Sequence, residues 1–399
     1  MTRIEQTFSA IRDVLLYVLL FVTAISYHPT IINMSRIAGY ESGTILSRYI
    51  VMLFGVVFLL SISISAVRKS SLIRSFFVFI AIITVVALLV QAFYRNSDMI
   101  HELRSFAIVF GSIMIGFNLQ MNRRKFVFIA LVFCITVLFS GIMQVLVNNG
   151  GFVIANQYLT DAKNSLGAML ATCCFLSGYL ALTFSRRLSK SLAIALSIAL
   201  FVVMVTIRAR MAVLAFALVG LFYLYLLTKN RNIILTVFFG FFVLFFGLLL
   251  MPSSFIGYLE DSFTAGAQGE DITSGRWYTY MHAISYLSQH PFLGNILKLN
   301  NIGWVHNYPL LKIYQYGLLF SWPILILYLY ICFYAYRLAK KTRPRSIPCS
   351  GCVCLLIPYL ISMAEPTFPF GPGTVTLINF ILLGVAEKMN CSQASIKKI

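Results

Sequence analysis

Charged residues are scarce in this sequence. Only 11% of its 399 residues are Asp, Glu, Lys or Arg, against about 25% in a typical soluble domain. Apolar residues make up 60%, a composition that excludes a soluble globular enzyme, a disordered chain and a secreted disulfide scaffold. A helix that spans a bilayer needs about 20 mostly apolar residues. We therefore expect an integral membrane protein.

Acidic residues are the scarcest charged class. The 12 acidic residues face 31 Lys and Arg, which leaves a net charge of +19. In a chain this apolar, an excess of positive charge indicates membrane topology and not nucleic-acid binding. We expect no nucleic-acid partner.

Long apolar runs are abundant, and they are apolar on all sides, as lipid-buried helices should be. We predict an all-α integral membrane protein with about twelve transmembrane helices. They lie near residues 14–33, 46–66, 75–93, 105–121, 126–147, 166–184, 191–206, 211–227, 232–251, 309–336, 348–363 and 374–386.

The loops between these runs alternate in charge. One alternate set holds 21 basic and three acidic residues, a net +18, whereas the other holds ten basic and nine acidic residues, a net +1. The positive-inside rule places the first set and both termini in the cytoplasm, which agrees with an even number of spans. The first run has no cleavage site of small residues and is predicted to be retained. With no internal repeat or linker, residues 1–399 are predicted to form a single polytopic domain.

Ligand sets for metals and nucleotides are lacking. The cluster Cys349-x2-Cys352-x-Cys354 has no second ligand pair and opens an apolar run, so its cysteines are predicted to be small apolar residues. No phosphate-binding G-x-x-x-x-G-K-[ST] motif occurs. We expect neither a metal nor a cofactor. The spans also carry almost no charge at mid-depth, which weakens the case for a transporter.

One outward loop, roughly 252–308, is long and rich in aromatic residues and glycine. Long loops are often functional. The spacing over 275–288 favours a helix resting on the membrane surface, with Asp271 or Thr273 as its N-cap and His290-Pro291 at its end.

Three arginines stand out on the outward side. Arg208 and Arg210 lie at the outer membrane boundary and would point about 200° apart in a helix, so only one is expected to face a common site. Arg276, beside a tryptophan, suits bidentate recognition of a phosphate or carboxylate. The alternatives are snorkelling or helix capping for the first two, and a surface ion pair with Glu270 or Asp271 for Arg276.

A histidine, an asparagine and a glutamate accompany them. His306, followed by Asn307 just before the tenth run, can act as a general base near neutral pH, or it can be structural. Glu365 opens the segment 365–373, whose three prolines and two glycines predict a rigid non-helical turn. Glu365 is predicted to pair with one of the arginines, unless the turn is a simple connection.

Outward arginines with one histidine suit chemistry on a lipid-linked diphosphate. The guanidinium groups would hold the diphosphate and stabilise the charge that develops as it leaves. The histidine would remove a proton from an attacking sugar hydroxyl.

These segments resemble the bacterial O-antigen polymerase and O-antigen ligase superfamily of integral-membrane glycosyltransferases. Arg208-Ala-Arg210-Met-Ala-Val-Leu-Ala-Phe looks like the family's mid-chain span start, with Arg210 the better match and Arg208 the alternative. Ser274-Gly-Arg276-Trp277 and His290-Pro-Phe-Leu-Gly294 look like the start and end of its large periplasmic loop helix. His306-Asn307, nine residues and then Gly317 look like an element of ligases, from which Phe320 departs.

The resemblance implies transfer of an undecaprenyl-diphosphate-linked glycan at the periplasmic face of the bacterial inner (cytoplasmic) membrane, without metal or nucleotide. We expect an O-antigen polymerase of lipopolysaccharide biosynthesis, which passes the chain onto a new lipid-linked repeat unit. The near alternative is an O-antigen ligase that passes it to the lipid A core. A lipid-linked oligosaccharide flippase or other transporter is the distant one. The implied partners are the lipid-linked oligosaccharide, membrane lipids, a chain-length regulator and a flippase.

Within this hypothesis, Arg276 and Arg210 (or Arg208) bind the donor diphosphate. His306 is the catalytic base, Asn307 orients the acceptor, and Glu365 is a further acceptor-side candidate.

Overall fold

The computed structural model describes residues 3–37, 46–62, 64–147, 157–207, 209–228, 276–298, 305–371 and 375–396. Within these ranges the regular secondary structure is entirely helical. The helices there are α1 Arg3–Ile25, α2 Pro29–Ile37, α3 Leu46–Leu59, α4 Ile64–Lys69, α5 Ser71–Tyr94, α6 Asp98–Asn118, α7 Arg123–Val147, α8 Gln157–Thr183, α9 Arg187–Thr206, α10 Arg210–Leu227, α11 Arg276–Gln289, α12 Tyr308–Lys341, α13 Ile347–Ile361 and α14 Leu377–Ile396.

Eight of these helices are long and apolar enough to cross a membrane, and α3 and α13 are shorter apolar helices. The expected all-α integral membrane class is confirmed. The predicted span 232–251 and most of the long outward loop lie outside the described residues.

Two expected spans near the N-terminus are each divided between two helices. The run 14–33 is interrupted, because α1 ends at Ile25 and Pro29 opens α2. Proline has no backbone N–H and disfavours helical geometry in the residue before it, so an unbroken helix through this point is unfavourable. The run 46–66 is divided between α3 and α4.

Loops with the same predicted orientation meet in the structure. On the basic side, Arg12 Nη1 donates to the carbonyl of Asn118 at 3.2 Å and Lys388 Nζ to that of Leu119 at 3.1 Å. On the other side, Asn96 Nδ2 donates to the carbonyl of Ile296 at 2.8 Å. These contacts agree with the alternation of loop charge, which the positive-inside rule converts into a membrane orientation.

Close helix packing holds α6 against α14 at the centre of the fold. A Cβ added to Gly116 would lie 1.9 Å from the carbonyl oxygen of Ile381, and one added to Gly384 would lie 2.1 Å from that of Ile113. Small residues allow such approach between membrane helices. Asn379 on α14 adds a polar tie, donating to the carbonyl of Cys354 at 2.9 Å.

The cysteine cluster is part of this packed interior. Cys349, Cys352 and Cys354 are free thiols, fully buried in α13. Their burial fits the predicted role as small apolar residues.

Candidate active site

Arg276 is the first residue of α11, the helix expected over 275–288 and ended before His290-Pro291. Its Nη2 donates to Oε1 of Glu365 at 2.8 Å, so the two form an ion pair. The Glu365 side chain is only 8% exposed and that of Arg276 is 26% exposed. The positive end of the helix dipole also favours a carboxylate at this position. The predicted pairing of Glu365 with one of the arginines is confirmed.

His306 lies on the other side of the same carboxylate. Its Nδ1 is 3.9 Å from Oε2 of Glu365, too far for a hydrogen bond. This nitrogen is buried and has no hydrogen-bond partner among the described residues. The imidazole as a whole is 35% exposed, so part of the ring remains open to solvent or a ligand.

Glu365 is held by the turn that follows α13. The predicted non-helical turn is present through residue 371; residues 372–373 lie outside the described residues. Phe368 and Phe370 of the turn are buried, and Phe370 packs edge-on against Tyr308 at the start of α12. This packing fixes the backbone that carries the carboxylate.

Tyr280, one turn after Arg276 on α11, ties that helix to the histidine. Its hydroxyl donates to the backbone carbonyl of His306. Burial raises the pKa of Tyr280 above its ordinary value, with nearby Arg276 lowering and Glu365 raising it. The phenol is therefore protonated at neutral pH and available as a donor. In the sequence, the only signal for Tyr280 is that the loop 252–308 is rich in aromatic residues.

Asn307 has a structural role beside the histidine. It is the N-cap of α12, where its Oδ1 accepts from the backbone N–H of Leu310 at 3.0 Å. Its Nδ2 donates to the carbonyl of Met363 at 3.0 Å. Both bonds fix the peptide next to His306, so Asn307 holds the backbone that carries the histidine. The predicted role in orienting an acceptor stays a prediction.

Helix α12 is broken at Gly317, which has non-helical backbone angles with φ of 65°. Past the break, the N–H groups of Leu318 and Leu319 donate to the carbonyls of Pro291 and Phe292, at 2.9 and 3.0 Å. The turn after α11 thus supplies acceptors that a continuous helix would provide itself.

Gly294 and Gly317 make this docking possible. Both have positive φ. A Cβ added to Gly294 would lie 2.6 Å from the Gly317 nitrogen, and one added to Gly317 would lie 2.1 Å from the Phe292 carbonyl oxygen. The two glycine-bearing segments singled out in the sequence are therefore a single structural unit. It joins the end of α11 to the helix that begins beside His306.

An ion pair between a buried lysine and a partly exposed glutamate holds the first part of α12. Lys312 is 3% exposed and pairs with Glu102 of α6; its ammonium also lies 5.1 Å from the centre of the Tyr308 ring. The sequence contained no signal that would match these two residues, which are 210 positions apart.

The remaining predicted residues are not joined to this group. Arg208 lies outside the described residues. Arg210 begins α10 and is exposed, and within the described part of the chain no contact links it to Arg276, His306 or Glu365. The structure therefore assembles Arg276, Glu365 and His306, with Asn307 adjoining.

Comparison with known families identifies one segment. Residues 194–295 match a family model described as O-antigen ligase, which confirms the resemblance to the O-antigen polymerase and ligase superfamily. The match includes α10 with Arg210, α11 with Arg276, and the turn that docks on α12. It ends before His306. No curated protein matches the chain.

Proposed function

From this likeness to glycosyltransferase-like enzymes, we propose that this multi-pass membrane protein is an O-antigen polymerase. It transfers a glycan from undecaprenyl diphosphate to a new lipid-linked repeat unit, at the periplasmic face of the bacterial inner membrane. The observation that carries the proposal is the position of Glu365, whose two carboxylate oxygens face Arg276 and His306. A cation for a leaving diphosphate and a base for an attacking hydroxyl thereby lie on either side of one carboxylate.

Arg276 binds the donor diphosphate in this proposal. A guanidinium group presents five donors in a planar fork, which suits phosphate oxygens. Before the donor binds, Glu365 engages Nη2 and so keeps the guanidinium group at the site. Because Arg276 also begins α11, the helix dipole adds to the attraction for an anion. Arg210, or Arg208, supplies a second cation to the donor.

His306 accepts the proton of the acceptor. The acceptor hydroxyl oxygen bonds to the anomeric carbon of the donor glycan, and the bond from that carbon to the diphosphate oxygen breaks. The diphosphate leaves with the bonding electron pair, and the hydroxyl proton passes to Nε2 of His306. In the tautomer that carries its proton on Nδ1, this proton is directed at Glu365 and Nε2 is free to accept another.

Donor binding and base activation are coupled through Glu365. A diphosphate at Arg276 competes with Glu365 for the guanidinium group. A carboxylate released from Arg276 can then close the 3.9 Å separation from Nδ1 of His306 to a hydrogen bond of about 2.8 Å. The histidine is then a competent base only when the donor is in place, which limits unproductive proton transfer.

The banding pattern of lipopolysaccharide from a deletion strain tests this function. Loss of a polymerase leaves a single repeat unit on the lipid A core. Elongation by the purified protein from lipid-linked repeat units, with no membrane gradient, tests the activity directly. Normal long-chain polysaccharide in the deletion strain would refute the assignment.

A ligase is the second candidate, because the matching family model is described as O-antigen ligase. Its loss would leave bare lipid A core while lipid-linked polymer accumulates. A flippase would instead leave lipid-linked single units on the cytoplasmic face, and its purified form would make no polymer. The three outcomes are distinct in the same deletion strain.

A further inference from the structure

The break in α12 sets a depth scale for the membrane. From Leu318 to Arg337 the helix has roughly twenty residues and covers about 30 Å at 1.5 Å per residue, which is the thickness of the hydrocarbon core. Arg337 is the first basic residue of the cytoplasmic end of this span. Leu318 therefore lies near the outer boundary of the hydrocarbon.

The turn after α11 lies at the same depth. The backbone N–H groups of Leu318 and Leu319 donate hydrogen bonds to Pro291 and Phe292, so the turn lies directly against α12. On the other flank, Asn96, just beyond α5, bonds to the carbonyl of Ile296. The turn thus lies between the outer ends of α5 and α12.

Large apolar side chains are exposed around this turn. Phe292 is 67% exposed and Leu297 is 54% exposed, although both belong to a loop outside the spans. Exposed residues of α12 and α5 continue the same surface. We call this surface the boundary patch, and its members are Phe93, Phe292, Leu297, Leu318, Leu319 and Trp322.

We infer that the boundary patch lies in the outer leaflet, with Phe292 and Leu297 among lipid acyl chains. Leu318, Leu319 and Trp322 are exposed residues of a membrane-spanning helix and therefore face lipid. Because the turn is bonded to that helix, lipid is also expected to cover the exposed side chains of the turn. Tryptophan is enriched at this level of membrane proteins, and apolar loop side chains at this level gain from burial in lipid. The loop is thereby anchored to the bilayer at the end of α11. This inference does not depend on the proposed reaction.

Depth-dependent fluorescence quenching tests the anchor in the full-length chain. The three tryptophans, Trp277, Trp304 and Trp322, are replaced by Phe, and Phe292→Trp or Leu297→Trp is added as the single reporter. A protein that retains only Trp322 is the reference. Each is placed in lipid nanodiscs with acyl chains brominated at defined carbons, and iodide is the aqueous quencher.

Both reporters should be quenched by brominated lipid to within about a factor of two of Trp322, as expected for residues at one boundary, and only weakly by iodide. Quenching by iodide alone would place the turn in water. Quenching by neither agent would mean that protein covers the patch. Either result overturns the inference, and the two reporters guard against failure of one variant to fold.

Discussion

Oε2 of Glu365 lies 3.9 Å from Nδ1 of His306, while Oε1 of the same carboxylate is bound by Arg276. A single side chain therefore links the two groups to which donor binding and proton removal are assigned. The Glu365 side chain is only 8% exposed, so water cannot readily replace a hydrogen bond or ion pair that either oxygen loses.

Glu365→Gln should lower glycan transfer at least about tenfold, because loss of an orienting carboxylate leaves a histidine base in the wrong tautomer. Donor binding should weaken less than turnover. Elongation of lipid-linked repeat units by the purified protein measures the effect. Asp98→Asn, which alters the carboxylate of an exposed ion pair with Lys298, is the matched control and should retain activity. Wild-type turnover in Glu365→Gln would remove Glu365 from the mechanism.

Arg276→Ala should abolish chain elongation while membrane insertion remains normal, since the diphosphate loses its planar cationic partner. Arg276→Lys should restore only part of the activity, because an ammonium cannot form the two parallel bonds of a guanidinium group. Lipopolysaccharide banding in complemented cells provides the readout. Lys298→Ala removes a cation from the same loop region, where the side chain is 61% exposed, and should leave banding unchanged. Long chains in Arg276→Ala cells would contradict the donor assignment.

His306→Gln should slow transfer by about 10²- to 10⁴-fold, the usual contribution of a general base. The protein should still bind the lipid-linked donor. Single-turnover measurements with preloaded donor separate the two effects. His290→Gln alters an exposed histidine after α11 and is the comparison variant. Equal losses in both variants would argue for general damage to the loop.

Tyr280→Phe should destabilise the loop by about 0.5–1.5 kcal/mol, the net contribution of one hydrogen bond. Burial raises the pKa of Tyr280 above 10.0 in the folded protein. The stabilising bond is therefore present at neutral pH and is lost as the pH rises from 10.0 through the folded-state pKa. Thermal unfolding midpoints of the two proteins should differ at pH 7 and converge at strongly alkaline pH. A constant difference would contradict the sign of the shift.

Gly317→Ala and Gly294→Ala should each destabilise the protein by more than about 1 kcal/mol, because an L side chain at positive φ is strained and its Cβ would strike backbone atoms. Gly220→Ala is the matched control, since an added Cβ there meets nothing within 4 Å. That change should be neutral or stabilising by about 0.5–1 kcal/mol in a helix. Thermal unfolding in detergent measures all three.

Composition and local spacing determined the membrane class, the alternation of the loops and most helices. The all-round apolar runs required lipid, and Pro291 could be expected to end α11 because proline stops a helix. Arg276, His306 and Glu365 were recognisable from their local context, which is a neighbouring tryptophan, the start of an apolar run and a turn rich in proline and glycine, respectively. The orientation of the loops across the membrane stays a prediction, as does the single domain over 1–399.

The tertiary structure decided which of these groups meet. Glu365 lies 89 positions from Arg276, and no local pattern could choose it over Glu270 or Asp271 as the partner. Similarly, no local pattern predicted the break at Gly317, because its cause is the approach of the Phe292 carbonyl from another part of the chain. The residue types of the site were thus readable from the sequence. Their pairing was not, since it depends on backbone contacts between segments far apart in the chain.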